Sequence, residues 1–341
     1  MTDIKRRSLL QTFSALALGT TALVKTGSIQ AARDEATQSV SGWPDMQYRK
    51  LGKTGFNGSR LVFGCGAALS RGQANNLLEP AFESGINVFD VGYSNYYDDA
   101  EKNLAPFLKK HGDDIFVISK ANPEIELDWD AEIKTATARQ AAKNWSNFLD
   151  RSLTELGVEH VDAYYQMAAN NVSMIRSDEM FEAFSKAKQA GKVDHWGIST
   201  HQNAENVLLA AADSGRYSLA QIAITPAGWY DWKDKDILDD GKSMIDLRDV
   251  LDAARNAGIG LIGMKAGRFI AGRRFLGWGD PDAFNEHYDE DLLQAKLSAF
   301  QRSYAYVLAN GLDAVNADMQ SWQHFRENHL AATEVSERYF A

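Results

Sequence analysis

The chain has 341 residues, 45% hydrophobic and 24% charged, enough apolar content to bury a sizeable core and too balanced for a disordered segment. Its 46 acidic against 36 basic residues leave a formal net charge of −10, which argues against a nucleic-acid or anionic-membrane surface, where phosphates need clustered cations. Cys65 is the only cysteine, so an intrachain disulfide and a Cys-ligated zinc or iron–sulfur site are excluded.

The first residues do not read as fold. In "KRRSLLQTF", Arg6 and Arg7 precede Leu9 and Leu10, and the apolar run "FSALALGTTALV" has the length of a signal h-region rather than a membrane span. The stretch resembles a twin-arginine export signal. That resemblance implies a signal peptide over residues 1–32, the twin-arginine export machinery as a partner, and a periplasmic protein that stays membrane-anchored if the signal is uncleaved. The alternative is a basic amphipathic N-terminus. Residues 33–45, polar and closed by "GWPD", read as a linker. Residues 46–341 then form one domain without a stable membrane span.

From Met46 onward, short apolar runs alternate with longer segments of helical period. "YRKLGKTGFNGSRLVFG" has two extended runs around Gly55 and the Asn57-Gly58 turn signal, which predicts a hairpin that leads into a strand. Eight strands follow in order, near "LVFGCG", "NVFDV", "IFVISK", "VDAYYQM", "DHWGIST", "AQIAIT", "GLIGMK" and "AVNADM". Helical stretches such as "ATARQAAKNWSNFLDRSLTELG" separate them and end at or near glycine. Eight such units without internal doubling predict an α/β fold, a closed (β/α)8 TIM barrel entered through an N-terminal β-hairpin. The irregular piece from Ala266 to Asp289 and the segment "PAGWYDWKDKD" are expected as loops over its top.

Chemistry in such a barrel collects where the strands end, and these ends are polar. Asp90 closes the second strand, Lys120 the third, Ser199 and Thr200 the fifth, and Gln221 lies inside the sixth. No HExxH, G-x-S-x-G, Walker or G-x-G-x-x-G pattern is usefully placed, which disfavours metal hydrolysis, serine hydrolysis and a Rossmann site. A lysine closing an apolar strand needs a nearby carboxylate to stay charged, and Asp90 is suited to that. Tyr96 and Tyr97 follow on a loop, where an ammonium would lower a phenol from its usual pKa of about 10 toward acid–base use. An ordinary interior ion pair beside loop aromatics is the other reading.

The order of these pieces resembles the aldo-keto reductase superfamily from Tyr48 almost to the C-terminus. The resemblance rests on "YRKLGKTGF…SRLVFG", "GINVFDVGYSNYYDDAEKNLAPFLKK", "FVISKA", "FLDRSLTELGVEHVDAYY", "AFSKAKQAGKVDHWGIST", "GIGLIGMKAG" and "FRENHLAA" taken together. It implies NAD or NADP, with NAD slightly favoured and no metal or iron–sulfur cluster, and a small carbonyl, alcohol or sugar substrate. It assigns Asp90, Lys120 and a tyrosine to catalysis, Tyr97 by spacing to Glu101 and Tyr96 as second choice. It places Ser199, Thr200 and Gln221 at the nicotinamide carboxamide, Lys265 and Arg268 toward the pyrophosphate, and Glu327 and Asn328 near the adenine. Asp318 and Gln320 stand where NADP-preferring members carry basic residues. Met264 replaces the usual stacking tyrosine.

The fourth strand departs from the pattern. It ends in Met167, where the family ordinarily has a His that hydrogen-bonds the substrate carbonyl. A thioether is only a weak acceptor, and losing one oriented donor typically costs about 2.7–4 kcal/mol of transition-state stabilisation. The expectations are a slow or altered oxidoreductase or, alternatively, a catalytically impaired barrel acting as a binding or structural protein. Asn170, Asn171 and His201, each able to substitute for the donor, read as loop-surface residues.

Overall fold

The computed structural model of the chain describes residues 39–238, 240–271 and 279–333. The expected signal peptide lies outside the described residues, as do residues 33–38 of the linker. Trp43–Ala341 forms one compact unit.

Eight parallel strands close into a barrel: β3 (Leu61–Gly64), β4 (Val88–Asp90), β5 (Phe116–Ala121), β6 (Val161–Met167), β7 (Val193–Thr200), β8 (Leu219–Thr225), β11 (Gly260–Met264) and β12 (Ala314–Ala317). Each pairs with its successor, β8 with β11, and β12 returns to β3. All eight lie where the apolar runs predict them. Strands such as β5, buried along all six residues, are continuous apolar runs because the barrel interior takes one face and the surrounding helices the other. The helix Thr135–Leu156 shows the outer layer's logic: Ala138, Ala142, Trp145, Leu149 and Leu153 recur at three- and four-residue spacing and are buried. Gly157, left-handed with φ 68°, ends it and returns its N–H to the last turn.

The N-terminal hairpin, β1 (Tyr48–Lys50) and β2 (Asn57–Ser59), pairs Tyr48 with Ser59. Its connection carries Leu51 into the interior cluster with Val62, Ile118, Tyr165 and Ile262, so this end of the barrel is filled. Chemistry is left to the opposite end, where the strands finish.

Three local features depart from the expectations. Asn57 and Gly58 pair within β2, and the hairpin turns at Gly52–Gly55, where Gly55 is left-handed. "PAGWYDWKDKD" is not all loop: β9 (Gly228–Asp231) folds back antiparallel on β8 and pairs with β10 (Asp236–Ile237). Trp229 and Tyr230, strand formers in an apolar setting, are buried there. Tyr96 and Tyr97 end a one-turn helix, Ser94–Tyr97, before the main helix Ala100–His111 begins. The described part of Ala266–Asp289 is irregular as expected, apart from a short 3-10 turn at Asn285–His287.

Candidate active site

Asp90 is the hub of the open end. Its side chain and that of Lys120 are 5% and 4% exposed, and Lys120 Nζ donates to Asp90 Oδ1 at 2.6 Å, Oδ2 at 2.5 Å and the Val91 carbonyl at 2.8 Å. All three ammonium protons are thus used. Asp90 Oδ2 also accepts from Asn316 Nδ2 and, at 3.4 Å, from Gln221 Nε2. A buried ion pair is tolerated when such extra hydrogen bonds satisfy its remaining valences. Asn316 is absent from the residues singled out in the sequence, although it carries the same signal as Gln221, a polar side chain within an apolar strand.

Two glycines choose between the tyrosines. A Cβ on Gly66 would stand 2.6 Å from the Tyr97 ring and one on Gly92 2.9 Å, so both positions must lack a side chain for the ring to lie between them. Tyr96 is 52% exposed and meets Tyr97 edge-on at 4.7 Å. Tyr97 is therefore the phenol set into the cavity wall, with Lys120 Nζ 5.8 Å from its ring centroid. The expected lowering of this phenol does not hold. Burial first, and then the Asp90 carboxylate, push the Tyr97 hydroxyl up. The reason is geometric, since the ammonium is spent on Asp90 and Val91.

These groups line a cavity of about 340 Å³ together with Met167, Ser199, Met264, Lys265, Arg268 and Asn328. Ser199 Oγ, Gln221 Oε1 and Asn328 Oδ1 are buried in its walls without a hydrogen-bond partner among the described residues. Native interiors rarely leave such atoms unsatisfied, so they mark places for a ligand's donors. Lys265 follows β11 in a left-handed conformation, φ 72°, costly for a non-glycine residue. Its ammonium lies 4.7 Å from the Trp232 ring centroid and the Arg268 guanidinium 5.7 Å. Burial, then Arg268, lower Lys265 to about 8. Trp232, delivered by the β9–β10 excursion, is a second residue that strand-end reasoning missed.

Three expected contacts do not face the cavity. Thr200 Oγ1 turns outward to Asn170 Oδ1 at 3.1 Å and the Gln202 carbonyl at 2.8 Å, because it alternates with the inward Ser199. Gln320 is exposed and donates to Asp318 Oδ2 at 2.9 Å. Glu327 accepts from Gln323 at 3.4 Å along the helix Trp322–Ala331. The three residues read as loop surface also differ from that expectation. Asn171 is buried as a helix cap, accepting from Met174 N, and Asn170 braces the end of β7. His201 lines the cavity.

Residues 51–304 match the Aldo/keto reductase family. The chain belongs to that family. Among proteins of known name, it is 28% identical over 161 residues to the uncharacterized oxidoreductase YqkF of Bacillus subtilis, covering 46% of this chain and 49% of YqkF. It is also 28% identical over 166 residues to L-glyceraldehyde 3-phosphate reductase of Escherichia coli, covering 46% of each. The chain thus spans about half the length of these relatives. In three dimensions it is similar to the putative aldo-keto reductase PA4992 of Pseudomonas aeruginosa (TM-score 0.58, 18% identity, 88% of this chain and 98% of that one). The aldo-keto reductase AKR11C1 of Bacillus halodurans, in its holo form, superposes at TM-score 0.59 with 19% identity over 87% and 97% of the chains.

Aldo-keto reductases use a nicotinamide dinucleotide, and the cavity has groups to fit one. Ser199 Oγ and Gln221 Oε1 offer acceptors for a carboxamide NH2, Asn328 Oδ1 one for an amine, and Lys265 and Arg268 two cations for an anionic linker. Among the described residues, neither cation has a carboxylate within ion-pair distance. No three His, Cys, Asp or Glu side chains of those residues gather as for a metal ion.

Proposed function

We propose that this aldo-keto reductase is an exported nicotinamide-dependent oxidoreductase that reduces a small aldehyde, ketone or sugar carbonyl, with Tyr97 as the proton donor. The observation carrying the reading is the phenol held between Gly66 and Gly92 beside the buried Asp90–Lys120 pair, in a cavity that also contains the unpaired Ser199 and Gln221 oxygens. A reduced nicotinamide, which Ser199, Gln221, Lys265 and Arg268 would hold, would supply hydride chemistry. Tyr97 completes the exchange by giving its proton to the carbonyl oxygen. Burial keeps the Tyr97 phenol protonated at neutral pH, the state that reduction uses and the reverse reaction does not, while making it a weaker acid than a free phenol. Asp90 and the Val91 carbonyl hold Lys120 beneath the Tyr97 ring, so the pair fixes the floor on which the phenol rests. A barrel with only a structural role has no use for burying that pair.

Met167, the last residue of β6, stands where the family's carbonyl-binding His is expected, and its sulfur has no proton to donate. NAD is favoured over NADP because Asp318, which lines the cavity, would repel a 2′-phosphate. Arg6 and Arg7 support export by the twin-arginine route.

The test is loss of NADH absorbance with a panel of aldehydes, ketones and sugars. Tyr97→Phe is expected to lower kcat by roughly 100-fold or more, the contribution of a positioned general acid, and Tyr96→Phe to stay within about threefold of the parent. Equal turnover by parent and Tyr97→Phe refutes the assignment.

A further inference from the structure

With Met167 unable to donate, a carbonyl oxygen placed near Tyr97 lacks the second donor that would hold and polarise it. We infer that His201, which borders the same cavity at the end of the neighbouring strand, is the side chain that donates this hydrogen bond. The inference rests on the oxidoreductase reading above, and its residue follows a different strand from the one that Met167 ends.

Strand register brings His201 to the cavity. Tyr165 pairs with Gly197 and Met167 with Ser199. A Cβ on Gly197 would lie 2.2 Å from the Tyr165 ring, which belongs to the barrel's interior cluster, so Gly197 faces inward. Side chains alternate along a strand, hence Ser199 faces inward as well, and His201, the first residue after β7 ends at Thr200, borders the cavity just beyond it. Lys120, Tyr97, Met167 and His201 indeed border one cavity.

The backbone around His201 is clamped. Its carbonyl accepts from Trp232 N at 3.2 Å, and its own N–H donates to Asn170 Oδ1 at 3.4 Å. Asn170 is held in turn by Thr200 Oγ1 at 3.1 Å and through its carbonyl by Asn203 Nδ2 at 3.0 Å. The imidazole leans on Trp232 with ring centroids 5.6 Å apart. Among the described residues no side chain or carbonyl takes up its ring nitrogens. Burial first, then Lys265 and Lys120, lower it to about 3, so the ring is a neutral donor at physiological pH. A neutral imidazole carries one N–H and can give it to an oxygen without transferring the proton. This assignment also gives Asn170 and the outward Thr200 a use, as the positioning residues behind His201.

Three variants and one spectrum test this. His201→Ala is expected to lower kcat with benzaldehyde and NADH by roughly 10- to 1000-fold, the span associated with one oriented donor. Its NADH affinity, read by tryptophan fluorescence, should stay within about threefold of the parent's, since a residue that meets only the substrate leaves cofactor binding alone. In the His201→Ala background, Met167→His should recover at least about tenfold, because it returns an N–H to the same oxygen from the adjacent strand. A purely structural His201 would not be rescued in this way. Separately, benzamide, an unreactive carbonyl, should shift the His201 ring nitrogens in the 15N spectrum of the parent protein. Parent kcat retained by His201→Ala, or a loss that Met167→His leaves unchanged, overturns the inference. A parent that turns over no carbonyl refutes the oxidoreductase reading instead, and the benzamide spectrum then decides His201 by itself: a shift supports it and an unmoved ring sinks it.

Discussion

Replacing Lys120 by Met should separate the stabilising role of the Asp90–Lys120 pair from its chemical one. With N–O separations of 2.5–2.6 Å, the Coulomb attraction at an effective dielectric of 20 is about 6 kcal/mol, and desolvation of both ions offsets much of it. Removing only the cation leaves the carboxylate in a site that is 5% exposed, while Asn316 and Gln221 still donate to it. Breaking a buried pair from one side typically costs about 3–5 kcal/mol, because the remaining charge is left uncompensated. Urea denaturation is expected to show a deficit of about 3–5 kcal/mol at pH 7. Adding Asp90→Asn should recover most of the stability at pH 7 and none of the turnover. A deficit below about 1 kcal/mol at pH 7, or one that Asp90→Asn does not relieve, would refute the account of a buried, interdependent pair.

Lys265 loses its proton as pH rises through about 8, so NADH affinity should weaken by roughly 10-fold or more between pH 7 and pH 9.5, the worth of one charged hydrogen bond; fluorescence titration at both pH values checks it, and Lys265→Met should be weak and flat across the range. Ser199→Ala should reduce NADH affinity without affecting the urea midpoint adversely, because its hydroxyl oxygen is unpaired among the described residues, whereas Gln221→Ala should lower both, since Gln221 also donates to Asp90. Calorimetry should give NAD an affinity at least equal to that of NADP, and a preference for NADP of about tenfold would show that Asp318 does not meet the adenosine ribose. Export should cease in an Arg6→Lys, Arg7→Lys double variant, measured by fractionation, and unchanged export would exclude the twin-arginine route.

The sequence by itself determined the eight strands, their order and the pair at the second and third strand ends. Apolar runs bounded by helical periods can do this because a buried parallel strand and an amphipathic helix each leave a local signature. Asp90 and Lys120 are legible for the same reason: a charge closing an apolar strand stands out against its neighbours. The choice of Tyr97 over Tyr96 rests on spacing to Glu101, and the slot between Gly66 and Gly92 is consistent with it. What depends on long-range geometry is not legible. Asn316 reaches Asp90 only because β12 closes against β3, a contact 226 residues apart in the chain. Trp232 reaches Lys265 only because β9 folds back over the mouth. The direction of the Tyr97 shift escapes a reading of the sequence because a nearby ammonium helps a phenol only when its protons are not already spent, and Val91 and Asp90 spend them. Ser199 and Thr200 show the limit most simply. Alternation says that they point to opposite faces, but which of them looks into the barrel is decided by the register of β7 against β6, where Gly197 meets Tyr165, and a register is a property of two strands rather than of either one.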